Sequence, residues 1–98
     1  MNIFTYTISA LPEIISEIKS ELKQELKHTK ATNREITVYC KAIDEEKILD
    51  ISKKYANEII TVSLFDEASM TTTFDYYENG EKIQTSIIDE GNITLPLL

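Results

Sequence analysis

The chain has 98 residues, enough for one hydrophobic core and too few for two, and folding is expected to bury roughly 60 to 65% of the surface the unfolded chain exposes. With 42% hydrophobic and 28% charged residues and only two Gly and two Pro, the composition is that of an ordinary globular domain and excludes collagen-like and disordered classes. No apolar run approaches the ~18 residues of a membrane span, the net charge of −7 opposes nucleic-acid phosphates, and a single cysteine excludes an internal disulfide.

Asn2 to Ser9 alternates Phe4, Tyr6 and Ile8 against Thr5 and Thr7, the period-two pattern of a half-buried strand. Such a start is no secretory leader, so a cytoplasmic protein is expected, in which the sequon at Asn92 has no glycosylation route. From Leu11 to Lys27 the residues Leu11, Ile14, Ile15, Ile18, Leu22 and Leu26 follow helical spacing, with Pro12 tolerated in the first turn. Glu13, Glu17, Glu21 and Glu25 flank that stripe on one side, and Lys19, Lys23 and Lys27 on the other. Like charges four apart weaken the isolated helix, which therefore depends on its buried stripe.

After a polar turn from His28 to Asn33, Glu35 to Ala42 reads as a second strand with Ile36, Val38 and Cys40 on one face and Thr37, Tyr39 and Lys41 on the other. Asp44 then caps a second helix running to Tyr55 or Ala56, with Ile43 stapled onto Ile48 and a core stripe of Ile48, Leu49, Ile51, Ser52 and Tyr55. Asn57 is expected in the left-handed conformation that ends it. Ile59 to Phe65 is a third strand whose inner face is Ile60, Val62 and Leu64.

Asn79-Gly80 predicts a two-residue type I′ hairpin between Met70–Glu78 and Glu81–Ile88. An uninterrupted ladder from that turn puts Tyr76, Phe74 and Ile83 into the core, and Tyr77, Asp75 and Thr73 on the outer face. The tail from Asn92 to Leu98 carries Ile93, Leu95, Leu97 and Leu98 and is expected to dock or to pair with another chain.

These elements make one α+β domain: a two-layer sandwich of a five-stranded mixed sheet in the order β-α-β-α-β-β-β, with both helices on one face. The pieces ITVYCKA, DEEKILDISKKY, EIITVSLFDEASM and TTTFDYYENGEKI, spanning about residues 36 to 83, resemble the YubB-type ferredoxin-like family of small phage and plasmid proteins of unknown function. The chain departs from that pattern in having no Trp and in reading Asp66 to Met70 where members carry glycines. The resemblance implies a mobile-element origin and no particular chemistry.

Catalysis finds no residues here. Cys40 and His28 are the sole nucleophile and base candidates, the first on an inner strand face and the second at a helix end, while paired carboxylates such as Asp44-Glu45-Glu46 fall at caps and turns. Neither a metal nor a cofactor is expected, since no ligand spacing or glycine-rich phosphate loop occurs. Residues 55 to 98 hold Lys82 alone against Glu58, Asp66, Glu67, Asp75, Glu78, Glu81, Asp89 and Glu90, and so carry the whole −7. One strongly negative side is expected, beside an outer sheet face of Thr5, Thr7, Thr37, Tyr39, Thr61, Ser63, Phe65 and Tyr77.

The leading expectation is a non-enzymatic acidic protein of a phage or mobile element that binds and blocks a basic, nucleic-acid-binding surface of a host protein, as anti-CRISPR and other anti-defence inhibitors do. Asp66, Glu67, Asp75, Tyr77, Glu78, Glu81, Tyr39 and Phe65 are its partner-binding candidates; neither nucleic acid nor a membrane is contacted directly. The alternatives are a homodimeric structural or regulatory module joined through the open sheet face or the tail, and a protein binding a small ligand on that face.

Overall fold

The computed structural model describes residues 4–22, 30–89 and 92–94. Helix α1 (Pro12–Glu21) opens at Leu11, whose carbonyl accepts from the N–H groups of both Ile14 and Ile15 at 3.0 Å, while Pro12 occupies the first turn, where its lack of a donor leaves nothing unpaired. Its buried stripe is Ile14, Ile15 and Ile18, continued by Leu22 at the cap; Leu26 and the charges at Lys23, Glu25 and Lys27 lie outside the described residues.

Helix α2 (Glu45–Lys54) is capped by Asp44, whose Oδ1 accepts from the Lys47 N–H at 3.3 Å. It closes at Tyr55, and the Glu58 N–H then turns back to the Tyr55 carbonyl at 3.0 Å. That bond replaces the left-handed cap expected at Asn57: among the described residues only Met70 and Asn79 have positive φ besides Gly80. The two helices are joined by Glu17, which receives Lys54 at 2.8 Å and the Tyr55 hydroxyl at 3.1 Å.

The helices cover one face of a single sheet built from β1 (Phe4–Ser9), β2 (Lys30–Ala31), β3 (Glu35–Cys40), β4 (Ile60–Asp66), β5 (Thr71–Glu78), β6 (Glu81–Asp89) and β7 (Asn92–Thr94). The spatial order is β2-β3-β1-β4-β5-β6-β7, and every pairing is antiparallel. The α+β class and both helices on one face agree with the sequence; the mixed sheet does not. The reason is β2, two residues inside a segment that reads as a polar turn. Because β2 runs parallel to β1, the chain comes back along β3 antiparallel to β1, and β4 then lands on the other side of β1. Two β-α-β units are thereby interleaved, β1-α1-β2 around β3 and β3-α2-β4 around β1. The expected one-way progression across the sheet becomes an order with the first strand in the middle.

Tyr6, Ile8, Ile36, Val38, Ile60, Val62 and Tyr77 from the sheet meet Ile14, Ile15, Ile18, Leu22, Ile48 and Ile51 in one core. Ser52 is the buried polar exception in α2: its hydroxyl donates to the Leu49 carbonyl and accepts from the Gly80 N–H, both at 2.8 Å. It thus ties the helix to the hairpin turn, where Asn79 (φ 50°) and Gly80 (φ 78°) adopt the paired positive φ of a type I′ turn. Ser52→Ala is expected to cost about 1–3 kcal/mol, since it leaves the Gly80 donor unsatisfied. An unchanged urea midpoint would contradict that link.

The turn is where the sequence places it, but the ladder slips beside it. Glu78 faces Glu81 and Tyr77 faces Lys82; then Tyr76 faces Gln84, so Ile83 is an extra residue bulged out of β6. The register with β4 fixes the faces: Tyr77 lies opposite Ile60, Asp75 opposite Val62 and Thr73 opposite Leu64, all on the helix side. Tyr76 and Phe74 therefore point away from the helices and Ile83 is exposed, the reverse of the expectation for all three. The outward positions of β5 carry Phe74 and Tyr76 and the inward ones Thr73 and Asp75 beside Tyr77, so alternation alone names the wrong face. The tail docks in its first part, with β7 pairing Asn92, Ile93 and Thr94 against Asp89, Ile88 and Ile87; Leu95, Leu97 and Leu98 lie outside the described residues.

Candidate functional site

The face opposite the helices carries three rows of side chains across the strands, set by register. Tyr39, Thr5, Phe65 and Thr72 form one, Thr37, Thr7, Ser63 and Phe74 the next, and Glu35, Ser9, Thr61 and Tyr76 the third. Hydroxyls knit it locally: Thr7 and Thr37 Oγ1 are 3.3 Å apart, and Ser63 Oγ donates to the Thr7 carbonyl at 3.5 Å. No described element covers this face. Tyr39 and Phe65 lie on it as expected, on either side of Thr5; Phe74 and Tyr76 were missed. The signal that would have found them is the short connection from Asp66 to Thr71, which fixes the phase of β5 against the inner face of β4.

A groove of about 750 Å³ runs along the edge of the third row, where the end of β1, the start of β3, the approach to β4 and the end of β5 converge. Glu35, Glu58 and Glu78 line it together with Arg34 and the exposed Ile59. The loop wall is held by Thr32, whose Oγ1 accepts from the N–H groups of Arg34 at 3.2 Å and Glu35 at 3.0 Å. None of the three glutamates enters an ion pair among the described residues, which leaves the groove with an excess of two negative charges.

The remaining acidic candidates do not gather on one side. Glu81 stands opposite Glu78 beside the hairpin turn, whereas Asp66 is level with Thr71 and Asp89 at the other end of the strands. There Asp66 Oδ1 accepts from the Ala68 N–H at 3.0 Å to shape the turn that exposes Glu67. The expected single negative side is thus divided between the two strand ends, because strand-flanking turns hold most of these carboxylates.

Asp75 and Tyr77, expected on the outer face, are on the helix side. The Tyr77 hydroxyl donates to Glu45 Oε2 at 2.7 Å, and Lys82 Nζ contacts the same oxygen at 2.8 Å and Asp75 Oδ2 at 3.8 Å. Thr85 Oγ1 donates to Asp75 Oδ1 at 2.8 Å. The Lys82 bond, with help from Tyr77, holds the Glu45 carboxyl below the usual carboxylate range. Burial, then the bond to Glu45, pushes the Tyr77 phenol well above the usual tyrosine range, and Glu45 raises Lys82. The phenol is a fixed donor and Glu45 a fixed anion at neutral pH, so this pair does not present a base of intermediate strength.

Cys40 Sγ lies 3.5 Å from the Ala42 carbonyl, and His28 falls outside the described residues. Among the described residues, no group of three His, Cys, Asp or Glu side chains is placed to hold a metal ion, and no helix is long and apolar enough to cross a membrane. Comparison with protein-family models, with curated proteins and with solved structures finds no match.

Proposed function

We propose that this protein is a non-enzymatic binding module that seats basic side chains of another protein in the acidic groove and lays its aromatic sheet face on the surface around them. The observation that carries this reading is the groove itself: Glu35, Glu58 and Glu78 line it beside Arg34 with no ion pair among the described residues, next to the row that holds Tyr76. Unpaired carboxylates at a concave edge attract Lys and Arg from a distance, and aromatic side chains of a rigid sheet supply contact area at small entropic cost. The chain extends 34 by 34 Å across its two larger dimensions, enough for the ~800 Å² per partner of a standard interface. A surface of this sign competes with phosphates, so the partner surface it blocks is one that otherwise binds nucleic acid.

The interleaved β-α-β units of β1 to β4 support a ferredoxin-like reading of that half of the chain. With the YubB-type resemblance, this favours a mobile-element protein acting on a host protein. The alternative, a homodimer, draws on β6, where Ile83, Ile87 and Ile88 are exposed along the strand next to β7.

The test uses a nucleic-acid-binding partner purified after capture on the intact chain. The combined change Glu35→Gln, Glu58→Gln and Glu78→Gln is expected to slow association about tenfold or more at low salt and to leave melting unchanged. Tyr76→Ala should instead speed dissociation. Equal association rates for the triple variant and the parent would reject the groove as the seat. A salt-insensitive self-associated species with no partner would favour the dimer.

A further inference from the structure

On the helix side, well away from the groove, a cavity of about 230 Å³ opens between the first turn of α2 and strands β1, β4 and β5. Its walls include Ile43, Ile48, Val62 and Leu64 and the tyrosines Tyr6 and Tyr77, and its polar lining residues are Thr73 and the carboxylate-bearing Glu45 and Asp75. We propose that this cavity binds a small organic cation, a primary ammonium carried on a short apolar or aromatic body, independently of the partner-binding role proposed above.

The charge count selects the sign. Two carboxylates share one ammonium, since Lys82 Nζ sits 2.8 Å from Glu45 and only 3.8 Å from Asp75, and the cluster keeps one net negative charge. Asp75 is the unusual member. It follows the buried, apolar Ile36, Ile8 and Val62 along one sheet row, and the half-buried Thr85 continues that row on β6. Thr85 satisfies its Oδ1, while Oδ2 pairs with the Lys82 ammonium at the long distance of 3.8 Å. A second ammonium entering the cavity supplies a shorter charge-assisted bond to Oδ2 and neutralises the remaining charge.

The body of the ligand follows from the walls. Four aliphatic side chains accept an apolar group, and two tyrosines join the lining, one of which, Tyr77, already holds a cation over its ring, Lys82 at 5.8 Å from the centroid. The volume lies below the ~300–1,000 Å³ of sites for drug-sized ligands, which excludes nucleotides by size as the carboxylates exclude them by charge.

The experiment titrates the intact chain with phenethylamine and 3-methylbutylamine, and in parallel with the neutral phenethyl alcohol and the anionic 3-phenylpropionate, following NMR shifts of Tyr6, Ile48 and Leu64. The amines are expected to give saturable shifts at these residues, with the alcohol at least tenfold weaker and the acid silent. Asp75→Asn should weaken the amines about tenfold while leaving the alcohol unchanged, and Glu45→Gln, which keeps Asp75, should weaken them less. Equal shifts from amine and alcohol, amine binding indifferent to Asp75→Asn in a variant with native melting, or no saturable shift from either amine would overturn the assignment. Because no residue of the acidic groove is altered, failure here leaves the partner-binding reading standing.

Discussion

Truncating Tyr77 to alanine is expected to destabilise the fold by about 3–5 kcal/mol, on the scale of large buried aromatics, against a total stability of about 5–15 kcal/mol for a domain of this size. Tyr77 is 3% exposed, lies opposite Ile60 under the first helical turns of α2, and is bonded through its hydroxyl to Glu45. Removing it empties a ring-sized volume and deprives Glu45 of a donor, two losses that add. Phe74→Ala, three residues earlier on the opposite face, should cost on the order of 1 kcal/mol because its ring is half exposed and no helix packs on it. Urea unfolding of the two variants distinguishes the faces directly. A larger loss at Phe74 than at Tyr77 would reverse the assignment of inside and outside on β5.

A second large effect is expected at the centre of the sheet. Ile8 is fully buried, and its register partners Ile36 and Val62 are buried with it on both sides, so Ile8→Ala should cost about 2–5 kcal/mol. The surroundings have little room to relax, since α1 and α2 close over this row. Ile87→Ala offers the control: the same residue type in the same sheet, 40% exposed on β6, should change stability by roughly 0.5 kcal/mol. Comparable losses at the two positions would mean that the helices do not seal the middle strands as described.

Local rules served well where one face of an element is deeply buried. The stripe of α1, the Asp44 cap, the inner faces of β1, β3 and β4 and the Asn79-Gly80 turn all follow from spacing and turn chemistry that no neighbour overrides. The strand order did not, because alternation tells which side of a strand is inside and nothing about which strand lies beside it. Two residues of β2 were enough to change the direction of β3.

The candidate sites divide along the same line. Tyr39 and Phe65 belong to strands with a strong apolar inner face and lie on the outer face as expected, whereas Asp75 and Tyr77 belong to a strand whose outward positions, Phe74 and Tyr76, are the more apolar. Of the groove's glutamates only Glu78 is among the candidates read from the sequence, because Glu35, Glu58 and Glu78 come from three separate segments that only the sheet brings together.

The central position of β1 also sets an order of events in folding. Strands β4, β5 and β6 are joined by short turns and can pair as soon as they exist, but the contact between Thr7 and Ser63 spans 56 residues of chain. Closing a loop of that length has an entropic cost that the local meander avoids. The β4–β6 meander is therefore expected to form first, with the arrival of β1 between β3 and β4 as the slow step. In that interval the inner strands are exposed to other chains, so refolding yield should fall as concentration rises even though the finished sheet ends in two short strands.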